Sequence, residues 1–298
     1  MTAKTLVMGY HTLGCLGFDA LLRHGFDVAA VFTHRDNPHE EIWWDSLAEL
    51  AGAKGVPVHY PDSMKDPHTQ ALVASYAPDF IFSFYFRFMI PPEVLEMAGR
   101  GALNLHGSLL PRLRGRAPIN WALVEGEERT GVTLHHMTAR ADAGDIVAQR
   151  GFPIGPRDTA LDLFRRAVEE TKALLRDVWP GVRDGTAPRV PQDESRATCR
   201  GRRTPEDGRI DWSLPTRRID GLVRAVTDPF PGAFTFLDGR KLLVWSGEPS
   251  AGRGAPGEVI GDSLVATGDG AYRIETCELA EGGRRPVLRA GMRLGETK

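Results

Sequence analysis

The sequence predicts an α/β chain in which a mostly parallel sheet with covering helices is followed by a smaller all-β domain. Three observations carry that reading. Residues 6–9 form a short apolar run, Gly14 to Gly17 open an amphipathic stretch, and residues 28–32 are apolar again; strand, helix, strand in that order builds parallel sheets through right-handed crossovers. Residues 80–86, FIFSFYF, are apolar or aromatic but for one serine, as a central strand buried on both faces requires. Past residue 190 the pattern turns to short alternating runs separated by turn residues, the mark of antiparallel strands.

Each element follows from its own residues. Leu13, Leu21 and Leu22 give the first helix its core face. Its glycine-bearing turn, GYHTLGCLG, does not fit the G-x-G-x-x-G dinucleotide pattern, and Asp36 in Thr33-His34-Arg35-Asp36 is only a loose match to a ribose-binding acid. Residues 43–54 read as a helix and 56–60 as a short strand. After the 80–86 strand, Arg87-Phe88-Met89-Ile90-Pro91-Pro92 turns the chain. Residues 102–106, 130–137 and 145–154 read as strands, and 161–178 as a helix with Leu161, Phe164, Val168, Leu174, Leu175 and Val178 on one side. The polar, proline-rich stretch 185–192 closes the first domain, so the expected division is a first domain at 1–189, a linker at 190–203 and a C-terminal domain at 204–298. In the last of these, residues 233–237 and 242–245 flank Asp238-Gly239 as a hairpin, and strands at 258–266 and 271–279 complete a small barrel or sandwich.

Composition narrows the function. Across 298 residues the hydrophobic fraction is 42% and the charged fraction 26%, ordinary for a globular protein. With 37 basic against 39 acidic residues, no global charge draws the chain to nucleic acid or an anionic membrane. Cys15, Cys199 and Cys277 lie far apart without ligand spacing, which argues against a disulfide framework or a metal site and for a reducing cytoplasmic setting. The N-terminus has a single Lys before too short an apolar run to read as a signal peptide, and no apolar stretch approaches the roughly 18 residues of a spanning helix.

The stretch 102–146 concentrates chemistry. Asn104 and His106 are two apart on one expected strand and therefore share a face, where a core strand would carry valines. Asp142 follows in a small-residue loop that permits close approach. A carboxamide can stabilise an oxyanion, an imidazole can carry a proton, and a carboxylate favours the charged ring, which makes acyl transfer a sensible chemistry for the set. Taken singly, a satisfied core histidine, a turn asparagine and a capping aspartate account for the same residues.

These residues resemble the 10-formyltetrahydrofolate-dependent formyltransferase family, which carries a similar N-x-H-x-S-L-L-P-x-x-R-G run; here it stands as Asn104 to Gly115, followed by Asp142-Ala143-Gly144-Asp145. PFPGAF at 229–234 and GDGAYRI at 268–274 are similar to the family's C-terminal domain. The resemblance implies a Rossmann-like catalytic sheet, an OB-like C-terminal domain, and 10-formyltetrahydrofolate as co-substrate, with no metal. It implies His106 as proton shuttle, Asn104 as transition-state stabiliser and Asp142 as the group favouring protonated His106. Phe88, Met89, Ile90, Arg116 and Thr138, Ala139, Arg140, Ala141 and Asp142 would line the folate site. YHTLGCLG, VFTHRDNP, IFSFYFR, HGSLLPRLRGRAPINW and RADAGDIVAQ are most like the members acting on UDP-4-amino-4-deoxy-L-arabinose in lipid A modification. This points to a UDP-amino-sugar substrate and leaves open whether a decarboxylating dehydrogenase acts as a separate partner. The alternatives within the family are another nucleotide amino-sugar, or methionyl-tRNA. Against tRNA, residues 33–60 carry only Arg35 and Lys54 against Asp36, Glu40, Glu41, Asp45 and Glu49, where phosphate binding needs the opposite sign. Arg200, Arg202, Arg203, Arg217 and Arg218 weigh the other way, although a diphosphate can also use arginines.

Overall fold

The structure is a computed structural model that describes residues 2–38 and 41–295; Glu40, counted above among the acidic residues, lies outside them. The chain separates into two compact units, Met1–Pro118, Gly131–Phe152 and Arg166–Arg200 in the first, Ile119–Thr130, Pro153–Arg165 and Gly201–Lys298 in the second.

The first unit opens with β1 (Lys4–Gly9), α1 (His11–Arg23) and β2 (Asp27–Phe32), the strand, helix, strand order expected. α2 (Leu47–Ala53) starts four residues later than the apolar pattern indicates, because the Ser46 hydroxyl accepts from the Glu49 N–H and caps the helix there. Trp43 and Trp44 are thereby left outside it, edge-on and stacked respectively against the His11 ring. β3 (Val58–His59) and α3 (Pro67–Ser75) follow, the helix beginning where the Asp66 carboxylate accepts from the Thr69 N–H with Pro67 in the first turn. β4 (Phe80–Phe84) is buried along its whole length, but stops two residues short of the aromatic run because Tyr85 adopts φ +58°.

After α4 (Pro92–Leu95), β5 (Gly101–His106) pairs parallel to β4, and β6 (Arg114–Gly115) follows in the loop beyond it. α5 (Pro118–Glu125) leads to β7 (Arg129–His136), which runs antiparallel to β5, and to β8 (Ile146–Pro153). The seven-stranded sheet has the order β3-β2-β1-β4-β5-β7-β8. Strand order reverses between β1 and β4, where a doubly wound sheet leaves a crevice at its carboxyl edge. α6 (Ala160–Asp184) is longer than expected and runs through Pro180. The proline is exposed, while Trp179 and Val182 beside it are buried, so apolar anchoring outweighs the one backbone hydrogen bond lost there. Trp179 packs edge-on against Phe26, Phe82 and Phe84. β9 (Cys199–Arg200) pairs with β6.

The second unit contains α7 (Thr216–Val226) and a five-stranded antiparallel sheet: β10 (Ala233–Leu237), β11 (Arg240–Ser250), β12 (Val259–Gly261), β13 (Leu264–Ala266) and β14 (Ala271–Leu279), in the order β10-β11-β14-β13-β12. Asp238 and Gly239 both have positive φ, as a two-residue hairpin turn demands. Residues 258–266 are two strands rather than one, since Ser263 at φ +52° folds the run back on itself. No helix among the described residues is long and apolar enough to cross a membrane.

Candidate active site

Asn104 and His106 leave β5 on the same face, and the antiparallel register sets Asn104 opposite His135 of β7. Asp142 reaches them from the loop after β7 and holds φ +51°. That loop is folded tightly: a Cβ on Gly144 would lie 2.0 Å from the His136 carbonyl oxygen, so only glycine fits.

The carboxylate of Asp142 is the hub. Its Oδ1 accepts from Asn104 Nδ2 at 3.2 Å and lies 3.3 Å from His135 Nε2. Its Oδ2 accepts from the Gly115 N–H at 2.8 Å and lies 3.5 Å from His106 Nδ1. Burial on its own would raise this carboxyl; the charges of His106 and His135 and the hydrogen bonds from His135 and Gly115 outweigh it and hold the group well below the usual carboxylate range. Asp142 is therefore an anion at any working pH.

His106 is buried and offers both ring nitrogens to acceptors, because Nε2 donates to the Leu113 carbonyl at 2.7 Å while Nδ1 faces Asp142. Leu113 sits at φ +57°, and its N–H donates to Thr198 Oγ1 at 2.8 Å, so the carbonyl that meets His106 is fixed from both sides.

His135 belongs to the same cluster, and sequence reasoning missed it. Its side chain is 1% exposed, its Nδ1 donates to the His136 carbonyl at 2.8 Å, and its Nε2 lies 3.2 Å from Asn104 Nδ2. With Nδ1 protonated, Nε2 either accepts from Asn104 in the neutral ring or donates to Asp142 in the charged one. The signal was present as period-two alternation with Thr133 on a buried strand, but it gains meaning only through the β5–β7 register.

The residues expected to line a folate site divide. Phe88 is half-buried and Met89 is 58% exposed, whereas the Ile90 side chain is 7% exposed and packs with Leu6, Met8 and Val94 in the core. Ile90 can thus present only backbone. The Arg116 guanidinium donates to the Arg87 carbonyl at 3.0 Å, and the Arg87 N–H in turn donates to His34 Nε2 at 2.9 Å. Burial and the charges of Arg87 and Arg116 push His34 down to about 4, which keeps that nitrogen free to accept. Thr138, Ala139 and Arg140 are exposed and Ala141 partly so, beside Asp142. A crevice of about 290 Å³ opens among Tyr10, Thr33, His34, Asp36, Glu49 and Tyr60. Among the described residues no group of His, Cys, Asp and Glu is arranged to hold a metal ion.

The fold recurs in known proteins. Residues 20–178 match the formyl transferase family profile, and residues 202–287 match the formyl transferase C-terminal domain. HypX from Aquifex aeolicus in complex with tetrahydrofolic acid is similar over 94% of this chain, with 23% identity and a TM-score of 0.60, and this chain spans 45% of its length. An N-formyltransferase from Helicobacter canadensis, in complex with folinic acid and dTDP-3-aminofucose, is similar over 97% of this chain and 100% of its own, with 18% identity and a TM-score of 0.67. WlaRD, a sugar 3N-formyl transferase crystallised with dTDP and 5-N-formyl-THF, is similar over 94% of this chain and 99% of its own, with 17% identity and a TM-score of 0.65. At these identities the likeness is one of fold.

Proposed function

Because the chain belongs to the formyl transferase family, we propose that it moves the formyl group of 10-formyltetrahydrofolate onto the amine of a nucleotide-linked amino sugar, with UDP-4-amino-4-deoxy-L-arabinose the first choice. The observation that carries the reading is the convergence of Asn104 and His106 on one carboxylate, Asp142, at the end of a sheet strand. Similar folds crystallised with a folate and a dTDP or dTDP-sugar support the substrate class. The nucleotide and the sugar rest on the sequence motifs.

The chemistry sets the roles. The sugar amine attacks the formyl carbon, a new C–N bond forms, and the carbonyl oxygen becomes an oxyanion. The C–N10 bond then breaks, and N10, a poor arylamine leaving group, must receive a proton while the attacking amine loses one. His106 does both. It gives up the Nε2 bond to the neutral Leu113 carbonyl and keeps the Nδ1 contact to Asp142, since the charged partner is the stronger one. Asn104 supplies an amide hydrogen to the oxyanion. One of its two hydrogens goes to Asp142; the other is released from His135 when that ring carries its second proton and donates to Asp142 itself.

Phe88, Met89, the Ile90 backbone, Arg116 and residues 138–142 are assigned to the folate. The crevice at Tyr10, His34 and Tyr60, beyond the carboxyl ends of β1, β2 and β3, is assigned to the nucleotide. The deciding assay offers 10-formyltetrahydrofolate with UDP-4-amino-4-deoxy-L-arabinose, with a dTDP-amino-sugar and with initiator methionyl-tRNA, alongside the His106→Ala protein. Formylation of the UDP sugar that His106→Ala abolishes is the expected outcome. Formylation of the tRNA alone would overturn the substrate class, and turnover by His106→Ala near the wild-type rate would remove His106 from the mechanism.

A further inference from the structure

We infer that Gln192 is a positioning residue for Asp142, so that the proline-rich segment around 190–194 is a working part of the catalytic site. The inference rests on the reading of Asp142 given above. Val190 and Ile146 exchange backbone hydrogen bonds at 2.8 and 2.9 Å, which lays the segment antiparallel to the start of β8. Two residues further on, the Gln192 side chain reaches the loop itself. Its Nε2 donates one hydrogen to the Asp142 carbonyl at 2.8 Å and the other to the Gly144 carbonyl at 2.7 Å.

The opposite end of the same carboxamide is held equally firmly. Gln192 Oε1 accepts from Arg114 Nη2 at 2.7 Å and from Arg114 Nε at 3.1 Å. Arg114 is 4% exposed, and its guanidinium also donates to Glu194 at 2.8 and 3.1 Å. Gly115, the residue after Arg114, sends its N–H to Asp142 Oδ2. One buried arginine therefore fixes both the donor that meets the carboxylate and the amide that grips the carbonyl of the same aspartate. All four hydrogen-bonding positions of the Gln192 carboxamide are filled.

Asp142 needs such a restraint. It is a non-glycine residue at φ +51°, and its carboxylate must reach two rings and a carboxamide at once. The two hydrogens given by Gln192 hold the carbonyls on either side of Ala143.

Gln192→Glu separates positioning from structural support. It keeps the size and the acceptor that Arg114 binds, and removes both hydrogens that face the carbonyls, putting a carboxylate against them instead. Misplacing a reacting group by about 1 Å can cost roughly 10²-fold. Formyl transfer by Gln192→Glu is expected to lose about 10- to 10²-fold in kcat per folded molecule, with little change in the KM for folate. The acidic limb of its kcat–pH profile should shift from that of the wild type, as should that of Asp142→Asn, because both changes disturb the carboxylate that faces His106. Gln192→Met, of the same length and uncharged, should lose kcat likewise and covers the case in which the carboxylate prevents folding. Wild-type kcat and pH profile in the folded variants, or losses matching only the reduced folded fraction, would overturn the inference. Wild-type turnover by Asp142→Asn would instead remove the underlying reading of the site, whatever Gln192 does.

Discussion

Asp142→Asn tests the hub of the site with almost no change of shape. The carboxylate accepts on both oxygens: from Asn104 Nδ2 and toward His135 at Oδ1, and from the Gly115 N–H and toward His106 at Oδ2. An asparagine must put its NH2 at one of those positions. At Oδ2 it faces the Gly115 N–H over 2.8 Å, and at Oδ1 it faces Asn104 Nδ2 over 3.2 Å, so either rotamer creates a buried donor–donor contact. A lost charge-assisted bond costs roughly 1.5–3 kcal/mol, and removing the penalty of burying the carboxylate offsets part of this, leaving a net destabilisation of about 1–3 kcal/mol. If Asn104 is displaced as an oxyanion donor, kcat should fall by about 10²–10³.

The pH dependence of that difference has a definite sign. The folded-state carboxyl of Asp142 is depressed below its ordinary 3.8, so its contribution is fully present above that value and is lost as pH falls through the lower folded one. The stability gap between wild type and variant should be flat from pH 5 to 8 and should narrow in more acidic buffer. Single-turnover formyl transfer at saturating folate gives the rate, and urea unfolding at several pH values gives the gap. Turnover within about threefold of wild type, or a gap unchanged in acid, would refute the reasoning, because a kcat ratio that small is below what a lost oxyanion donor produces.

Two further outcomes follow from the same geometry. Gly144→Ala puts a methyl 2.0 Å from the His136 carbonyl oxygen and 2.8 Å from its carbon, so the loop bearing Asp142 must shift and kcat should fall by roughly 10²; Gly52→Ala, in α2 with nothing within 4 Å, should leave turnover unchanged, and equal activity in both variants would count against the loop's role. Burial and the charge of Arg87 push His11 from 6.5 down to about 3, and burial with Arg87 and Arg116 pushes His34 down to about 4, so the unfolded chain binds more protons and stability should fall as pH drops below about 6.5, by on the order of 1–2 kcal/mol per unit after discounting the more exposed His34. Urea unfolding of His34→Gln should show a shallower slope than wild type between pH 6.5 and 4, and an identical slope would exclude His34 as a source.

What the sequence revealed and what it hid divide along one physical line. Local period and local capping are written in neighbouring residues. The parallel sheet, the doubly buried β4, the hairpin at Asp238-Gly239 and the shared face of Asn104 and His106 could all be read that way. Features fixed by register or by distant packing could not. His135 joins the site because β7 pairs antiparallel with β5, a fact that no window around residue 135 contains. Trp43 and Trp44 look like the start of a helix, but pack on His11 from outside it. Ile90 matches a ligand-loop motif and is nevertheless core. Gln192 sits in a stretch whose prolines read as a connector, yet its carboxamide is bonded on every side.

Backbone strain gives the strongest argument that the first unit is built around this site. Left-handed conformation costs a non-glycine residue on the order of 1–3 kcal/mol unless its surroundings hold it. Among the described residues of the first unit, His11, Ala77, Tyr85, Leu113, Ala117 and Asp142 adopt it; Ala77 lies in the turn between α3 and β4, while His11 opens α1 after β1, Tyr85 ends β4, Leu113 and Ala117 flank β6, and Asp142 follows β7. Turn chemistry alone does not select leucine, tyrosine or alanine for φ > 0. At Leu113 and Asp142 the compensation can be named. Leu113 is held by Thr198 and His106, and Asp142 by Gly115, Asn104 and Gln192. The bonds that offset the strain at Leu113 and Asp142 include the contacts that orient His106 and Asn104. A substitution that relaxes the backbone at either position should therefore disorganise the chemistry before it disturbs the fold.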